Sequence, residues 1–243
     1  MSQTLHLRNL ALIGGGAMGE AILKGIVAAG LLPAENLFVG AHRPERAEYL
    51  RAAYGVTALT DNAAAVRDAD LVILAVKPQM VNDALTPDVA AALPDKAVIL
   101  SIMGSVPIAR LTGIFPGHAV IRAMPNTPLA VGAGMTALAP GDGVPADALE
   151  DAKTIFGACG EVVVLQEKEI EAVTAVSGCG PGYVYILVDA LADAGVMAGL
   201  PRATAIKLAA QTFAGAGRMV LETGLHPDVL RDQVTSPGGT TIA

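Results

Sequence analysis

Glycines with a regular spacing follow the first apolar run of the chain and open a stretch with helical periodicity. In "LALIGGGAMGEAILKGIVAAG" they are Gly14, Gly16 and Gly19. The first permits a tight turn, the second lets backbone approach a pyrophosphate, and the third allows a helix to pack closely on a strand. The spacing predicts a dinucleotide site, with a merely structural strand–helix turn as the alternative.

The residues after the second apolar run, "NLFVGA", bear on which dinucleotide is bound. In NAD sites an acidic residue roughly 20 positions after the glycines binds the ribose, but His42 and Arg43 stand there in this chain. A guanidinium can grip a 2′-phosphate through paired hydrogen bonds. The pattern therefore favours NADP, used as NADPH, over NADH, unless Arg43 is an ordinary solvated charge.

Two turns containing proline follow later apolar runs. "DLVILAV" continues into Lys77 and Pro78, and ligands in open α/β sheets bind outside the carboxyl ends of strands. We therefore expect the turn Ala75–Pro78 to line the cofactor, with Lys77 either holding a phosphate or ribose or simply solvated. In "RAMPNTPLAVGAG" the prolines stiffen the segment and leave Asn126 and Thr127 to offer side-chain hydrogen bonds.

Short β-branched runs alternate with Ala-rich helical stretches from residue 7 to about 165. The runs are "LRNLALI", "NLFVGA", "ADLVILAV", "KAVILSI", "HAVIRAM" and "EVVVL". This alternation predicts an α/β fold, with a Rossmann-type parallel sheet over residues 1–166 and helices on both of its faces. After residue 166, helical patterns separated by "SGCGPG" and "GLP" predict a smaller all-α domain over residues 167–243.

Composition and charge exclude several classes of protein. The net charge is −7, with 16 Lys and Arg against 23 Asp and Glu, which argues against nucleic-acid binding. Asp189 and Asp193 interrupt the longest apolar stretch, so no membrane span of about 18 uncharged residues is predicted. Too few residues precede the first apolar run for a signal peptide, so we expect a cytoplasmic protein. Helices apolar on several faces predict a homodimer through residues 181–222.

Cysteines and histidines offer little chemistry. Cys159 and Cys179 have neither the number nor the spacing of a disulfide framework or a zinc site, so we expect small packing residues and no metal. The histidines are scattered, and His226, directly before Pro227, is expected to start a helix. Motifs of serine hydrolases and zinc proteases are absent from the sequence.

Several segments, taken in order from residue 8 to 243, resemble the pyrroline-5-carboxylate reductase family. They are "GGGAMGEAI", "AVKP", "MPNTP", "VSGCGPGYVY", "DALADAGVMAGLPR" and "VTSPGGTTIA", the last being the most specific. That family reduces 1-pyrroline-5-carboxylate to L-proline with NAD(P)H, the last step of proline biosynthesis. The resemblance implies this activity and substrate, and a homo-oligomer that is a dimer or a ring of dimers.

The resemblance also assigns residues to the site. It places Gly15, Ala17 and Met18 against the pyrophosphate and His42 and Arg43 at the adenosine 2′ position. The rest of the cofactor site would be Asn62, Val76, Lys77 and Gly104. The substrate set would be Glu167, Ser236, Gly239, Thr240 and Thr241, with Thr241 as the catalytic residue, its hydroxyl near the ring nitrogen.

The chemistry of this assignment can be argued from the residue types. Protonation of the imine nitrogen, or a hydrogen bond to it, draws charge away from the carbon that receives the hydride, and Thr241 can serve as the hydrogen-bond partner. A hydroxyl is not a strong acid, so we expect the imine to arrive protonated or to take its proton through water. The Gly-Gly turn and Ser236 offer donors for the substrate carboxylate.

Three features depart from the family's usual pattern. Cys179 and Gly182 replace a serine and an alanine, and "MGSV" replaces Ala-Ala-Gly at Gly104. The family also continues for about one more helix, so we expect a sequence truncated at its C-terminal end. The alternatives are an oxidoreductase of the β-hydroxyacid dehydrogenase type with Lys207 as its catalytic lysine, and a non-catalytic NADP-binding regulator, which would not need the Ser-Pro-Gly-Gly-Thr-Thr stretch.

Overall fold

A computed structural model describes residues 5–242 and contains one eight-stranded sheet. Its strands are β1 Leu10–Ile13, β2 Leu37–Gly40, β3 Thr57–Leu59, β4 Leu71–Leu74, β5 Val98–Ser101, β6 Val120–Met124, β7 Gly134–Pro140 and β8 Gly160–Val164. They follow the order β3-β2-β1-β4-β5-β6-β7-β8 across the sheet. Neighbouring strands are parallel except β6 and β7, so the predicted Rossmann-type sheet is confirmed.

Helices connect these strands and cover the sheet. They are α1 Ala17–Ala28, α2 Pro44–Tyr54, α3 Asn62–Val66, α4 Val81–Ala84, α5 Pro87–Ala92, α6 Ile108–Ile114, α7 Ala146–Gly157 and α8 Ile170–Val173. Short 3₁₀ turns occur at Ala34–Asn36, Pro78–Met80, Thr127–Val131 and Glu167–Glu169.

The side chains of β1 show why both faces of the sheet must be covered. Leu10 and Leu12 belong to one buried cluster, which includes Ile22 of α1. Ala11 and Ile13 belong to a second buried cluster, which includes residues of α3 and α6. Successive side chains of a strand point to opposite faces. Burial of each Leu or Ile contributes about 1.5–3 kcal/mol, so apolar strands of this kind need helices on both sides.

The order in which strands are added to the sheet changes direction at β1. β2 and β3 lie on one side of β1, and β4 follows on the other side. The turns leaving β1 and β4 are tied to neighbouring strands, because Gly14 N–H donates to Gly40 O at 2.9 Å and Ala75 N–H donates to Ile13 O at 2.8 Å. A switch point of this kind leaves a crevice outside the carboxyl ends of the strands, where ligands bind in open α/β sheets.

Two strands were not predicted from the sequence. β3 has only three residues, and β7, "GMTALAP", begins with Gly and ends with Pro, residues typical of turns. β7 runs antiparallel to β6, because residues 125–133 between them are too few for the dozen or more that a parallel crossover needs. The sheet is therefore mostly parallel rather than wholly so.

A second compact unit begins at Gly180, and the first unit ends at Cys179. The second unit consists of α9 Gly180–Met197, α10 Arg202–Thr223 and α11 Pro227–Gln233. α9 and α10 pack through small residues, since Ala192, Ala205 and Ala209 are buried together. The predicted all-α C-terminal part is confirmed, while its boundary between residues 166 and 167 stays a prediction.

The segment "SGCGPG" does not separate two helices, contrary to expectation. Thr174–Gly178 form a π-helical turn, Cys179 N–H donates to Thr174 O at 2.8 Å, and helical structure runs from Glu167 to Met197. Pro181 has no N–H to donate, and the π turn just before it already interrupts the regular ladder of i to i−4 hydrogen bonds. "GLP", in contrast, does lie between α9 and α10 as predicted.

Candidate active site

A cleft of about 720 Å³ opens at the carboxyl ends of β1, β2 and β4. This volume lies within the range of small-molecule sites, about 300–1,000 Å³. The predicted cofactor residues in its lining are Gly14, Gly15, Gly16, Ala17, His42, Arg43, Asn62, Ala75, Val76 and Lys77. The fold thus brings the glycine turn, the basic end of β2 and the Lys77 turn into one place.

The three fingerprint glycines have different surroundings. Gly14 has a φ of 112°, and a Cβ added to it would lie 2.6 Å from Ala75 O. A Cβ added to Gly19 would lie 2.2 Å from Gly14 O, so this glycine allows α1 to pack against the turn. A Cβ on Gly16 would meet no atom within 4 Å and would project into open space. Gly16 is therefore where a ligand can approach the backbone.

The start of α1 adds a site for negative charge. Gly16 precedes the helix, and no side chain of residues 5–242 caps it. The first N–H groups of a helix have no carbonyl partner within it and carry the positive end of its dipole. α1 is 12 residues long and presents these groups at the cleft. The cleft can hold a phosphate without excess positive charge.

Charged side chains line the cleft on either side of this helix. Arg43 is the residue directly before α2, and Lys77 is the residue directly before the 3₁₀ turn Pro78–Met80. Asp61 also lines the cleft, but its Oδ1 accepts hydrogen bonds from the N–H groups of Ala63 and Ala64 at 2.9 and 3.2 Å. The Asp61 carboxylate, just after β3, therefore caps the start of α3.

Four predicted cofactor residues do not line the cleft: Met18, Gly19, Pro78 and Gly104. Met18 packs against the core and Gly19 against the glycine turn. Pro78 starts its 3₁₀ turn, and Gly104 O accepts a hydrogen bond from Arg122 Nη2. Their assignment to the cofactor stays a prediction.

Two asparagines anchor backbone near the site. Asn62 Nδ2 donates to Ala84 O at 3.0 Å. Asn126 donates from Nδ2 to Ser177 O at 3.0 Å, and its Oδ1 accepts from Met135 N–H at 2.9 Å. Asn126 does offer the side-chain hydrogen bonds expected of it, and they go to the protein's own backbone.

The sequence patterns missed Glu20 and Arg46, both of which line the cleft. Arg46 Nε donates to Gly15 O at 2.6 Å, and Arg46 Nη2 forms an ion pair with Glu20 Oε2. Arg46 lies in the first turn of α2, three residues after Arg43, which directly precedes that helix. That spacing was a usable signal for Arg46, whereas no local pattern connects Glu20 with residue 46.

Glu167, a predicted substrate residue, is joined to Gly104 through a buried arginine. Glu167 Oε1 accepts from Ile108 N–H at 2.7 Å and from Arg122 Nη1 at 3.1 Å, while Arg122 Nη2 bonds to Gly104 O. Arg122 is only 8 % exposed. Arg122 lies within the apolar run of β6, so no sequence pattern indicated a functional role. The Glu167 carboxylate neutralises its charge.

The remaining predicted substrate residues lie in the second unit, after α11. Gly238 has a φ of 67°, and Gly239 N–H donates to Ser236 O at 2.9 Å. Thr240 and Thr241 are exposed. The substrate residues are therefore divided, with Glu167 in the first unit and residues 236–241 in the second.

The cysteines and His226 take separate roles. Cys159 is buried, and burial raises the pKa of its thiol, in keeping with a small packing residue. Cys179 is exposed and does not fit that prediction. His226 accepts a hydrogen bond from Asp228 N–H at 3.3 Å at the start of α11, as predicted.

Comparison with known proteins agrees with these two units. Residues 9–104 match the family model of NADP oxidoreductases described as coenzyme F420-dependent, and residues 167–243 match the model for pyrroline-5-carboxylate reductase dimerisation. A pyrroline-5-carboxylate reductase of Synechocystis is 47 % identical, over 96 % of this chain and 87 % of the relative.

Solved structures of this kind are also similar over nearly the whole chain. The pyrroline-5-carboxylate reductase of Coxiella burnetii has a TM-score of 0.86 at 34 % identity, over 97 % of this chain and 87 % of that one. The Plasmodium falciparum pyrroline carboxylate reductase, solved with NADP bound, has a TM-score of 0.84 at 30 % identity, over 98 % and 88 %. The chain belongs to the pyrroline-5-carboxylate reductase family.

Proposed function

We propose that this chain reduces 1-pyrroline-5-carboxylate to L-proline with NADPH, the last step of proline biosynthesis. The observation that carries the proposal is the cleft at the switch point of the sheet, in a chain of this family. Gly14 and Gly19 are required by close neighbours, and Gly16 faces open space. That combination fits a dinucleotide pyrophosphate at the start of α1.

The preference for NADPH rests on the end of β2. His42 and Arg43 line the cleft there, and the side chain of Arg43 suits the doubly charged 2′-phosphate that NADH lacks. Lys77, on the opposite turn, adds a second cation for phosphate or ribose. Bound NADPH supplies the hydride. The chain's own residues therefore have to hold the phosphates and orient the substrate.

For the substrate, the proposal uses the exposed loop at residues 236–241. Reduction of a C=N bond needs a hydride at carbon and a proton at nitrogen. The Thr241 hydroxyl hydrogen-bonds to that nitrogen: it accepts from the N–H of a substrate that arrives protonated, and it donates to the neutral imine when the proton comes through water. The Gly238 N–H and the Ser236 hydroxyl hold the carboxylate, because the Gly239 N–H already donates to Ser236 O. Glu167 completes the substrate set.

The C-terminal helices are proposed to form a homodimer, on which rings of dimers can be built. The helical run Glu167–Met197 is long and apolar enough to cross a membrane by length and composition. Large apolar side chains of α9 are exposed, among them Tyr185 at 62 % and Ile186 at 70 %. The match to a dimerisation model favours a second subunit as their cover, in a cytoplasmic enzyme. Sedimentation velocity should therefore give a dimer or a multiple of it.

The alternative oxidoreductase type gains no support from the second unit. Its candidate lysine, Lys207, lies on α10, in the part of the chain that matches the model for pyrroline-5-carboxylate reductase dimerisation. A non-catalytic NADP-binding regulator would bind NADPH without consuming it.

The test follows NADPH absorbance with and without 1-pyrroline-5-carboxylate, and repeats the pair with NADH. We expect oxidation that depends on the imine and a higher kcat/KM with NADPH. NADPH binding without oxidation would favour the regulator and reject the enzyme. A higher kcat/KM with NADH would reject the 2′-phosphate role of the β2 end.

A further inference from the structure

A polar network that the sequence did not predict ties the glycine turn to α2. Arg46 Nε donates to Gly15 O at 2.6 Å, and its Nη2 pairs with the Glu20 carboxylate. Glu20 Oε1 accepts from Tyr49 Oη at 2.9 Å and from Tyr54 Oη at 2.7 Å. The Arg46 guanidinium also lies 4.9 Å from the centroid of the Tyr49 ring. Five groups from three segments are thus fixed in one arrangement.

The network holds Glu20 as an anion. Burial by itself raises the pKa of Glu20, but the hydrogen bonds from Arg46, Tyr54 and Tyr49 outweigh that effect, so the pKa lies below its ordinary value of 4.5. Burial and the bond to Glu20 raise the pKa of Tyr54 to about 12, so Tyr54 remains a donor. Near neutral pH the network contains one carboxylate and one guanidinium.

The position of this carboxylate is unfavourable for a phosphate ligand. Glu20 is in the first turn of α1, close to the N–H groups that suit an anion, and it lines the same cleft. Two like charges about 4 Å apart at a protein surface repel by several kcal/mol before screening. Arg46 offsets that charge where it arises, and it holds the carbonyl of Gly15 on the turn that the pyrophosphate approaches.

We propose that Arg46 is a positioning residue for the dinucleotide, which fixes the glycine turn through Gly15 O and neutralises Glu20 beside the pyrophosphate. This inference rests on the proposed cofactor role of the cleft. It gives Arg46 a role different from that of Arg43. The pyrophosphate is common to NADPH and NADH, so Arg46 acts on both cofactors, whereas Arg43 acts on the 2′-phosphate of one.

The experiment measures the Kd of NADPH and of NADH by calorimetry, without substrate, for wild type and variants. Arg46→Met keeps an unbranched apolar stem and removes the charge and the donors of the side chain. We expect both Kd values to rise by about tenfold, as for the loss of one charge-assisted hydrogen bond, with their ratio unchanged. kcat at saturating NADPH should stay within about twofold, because the residue acts on binding.

A second variant separates charge from folding. The double variant Glu20→Gln with Arg46→Met lacks the unpaired carboxylate. We therefore expect both of its Kd values to be lower than those of Arg46→Met by at least about threefold. Glu20→Gln alone should bind both cofactors as tightly as wild type or more tightly, and it keeps the test decisive if Arg46→Met fails to fold. The thermal midpoint of each variant identifies folding losses.

Several results would overturn the inference. These are unchanged Kd values in Arg46→Met, a rise for NADPH alone, and no recovery in the double variant. Weaker binding in Glu20→Gln alone would do the same. Wild type that binds neither cofactor would instead reject the proposed function, so the two failures are distinguishable.

Discussion

The two glycine-rich turns of this chain, Gly14–Gly19 and Ser236–Thr241, are held in different ways. The first is fixed by other elements, since Gly14 N–H donates to Gly40 O at 2.9 Å and Gly15 O accepts from Arg46. In the second, Gly239 N–H donates to Ser236 O at 2.9 Å. Within residues 5–242, the hydrogen bonds of the second turn join residues of the turn and the one after it.

We expect this structural difference to separate variants that impair cofactor binding from variants that impair the chemical step. The Rossmann-type sheet preorganises the glycine turn, so a change that clashes with the packing of this turn should affect folding and cofactor binding together. The loop at 236–241 has little packing around it, so a change there should affect turnover and leave folding and cofactor binding intact. Variants at the two turns test this difference.

Gly19→Ala should have the largest effect. Its Cβ would lie 2.2 Å from the backbone oxygen of Gly14, a position from which the turn cannot easily move. We expect the free energy of unfolding to fall by about 2–4 kcal/mol, measured by urea denaturation. The matched control is Gly16→Ala, whose Cβ meets nothing within 4 Å. It should unfold like wild type but bind NADPH more weakly, and equal stability losses in both variants would contradict the contrast.

Thr241→Ala should come next, with an effect on chemistry alone. Loss of the hydrogen-bond partner of the reacting nitrogen should lower kcat/KM for 1-pyrroline-5-carboxylate by about 10²-fold. The Kd of NADPH and the thermal midpoint should not change, because Thr241 is exposed. Thr235→Ala is the control, since its hydroxyl donates to Arg231 O at 2.9 Å. A collapse of NADPH affinity in Thr241→Ala would make the residue structural.

Arg43→Ala tests the cofactor side with a smaller effect. Removing the cation from the end of β2 should raise the KM for NADPH by about tenfold and that for NADH by less than about twofold. Lys24→Ala, an exposed change on α1, controls for the loss of one positive charge. Steady-state kinetics with both cofactors decide the matter, and equal rises in KM would remove the 2′-phosphate role.

The smallest predicted effect is a pH dependence of stability that comes from Glu20. Its pKa is lowered in the folded state, so its contribution is present above 4.5 and is lost as the pH falls through the folded value. Urea denaturation at pH 7 and near pH 3 should show wild type losing more stability than Glu20→Gln, by less than about 1 kcal/mol. Equal losses in the two proteins would show that the Glu20 pair contributes no pH dependence.

Sequence reasoning succeeded where function depends on neighbours in the chain. Gly14, Gly16 and Gly19 fall in one turn, so their spacing alone predicted a tight turn, an open approach and a close packing. β1, β4 and β5 are buried along their whole length and appear as continuous apolar runs. The same logic placed His226 at the start of α11.

It failed where distant residues meet or where a local signal is ambiguous. Arg122 and Glu167 are 45 positions apart, and Arg46 and Glu20 are 26 apart, so only the fold pairs them. The glycines of "SGCGPG" indicated a break, yet a π turn carries the helix through them. β7 was hidden because its terminal Gly and Pro match the signals of a turn.

The most direct test of the account uses NADPH with deuterium at both positions of carbon 4 of the nicotinamide, together with 1-pyrroline-5-carboxylate and the purified protein. NMR of the product should show L-proline with deuterium on the ring carbon next to nitrogen, on the side away from the carboxylate. Oxidation of NADPH without proline, or proline without deuterium at that carbon, would contradict direct hydride transfer to the imine.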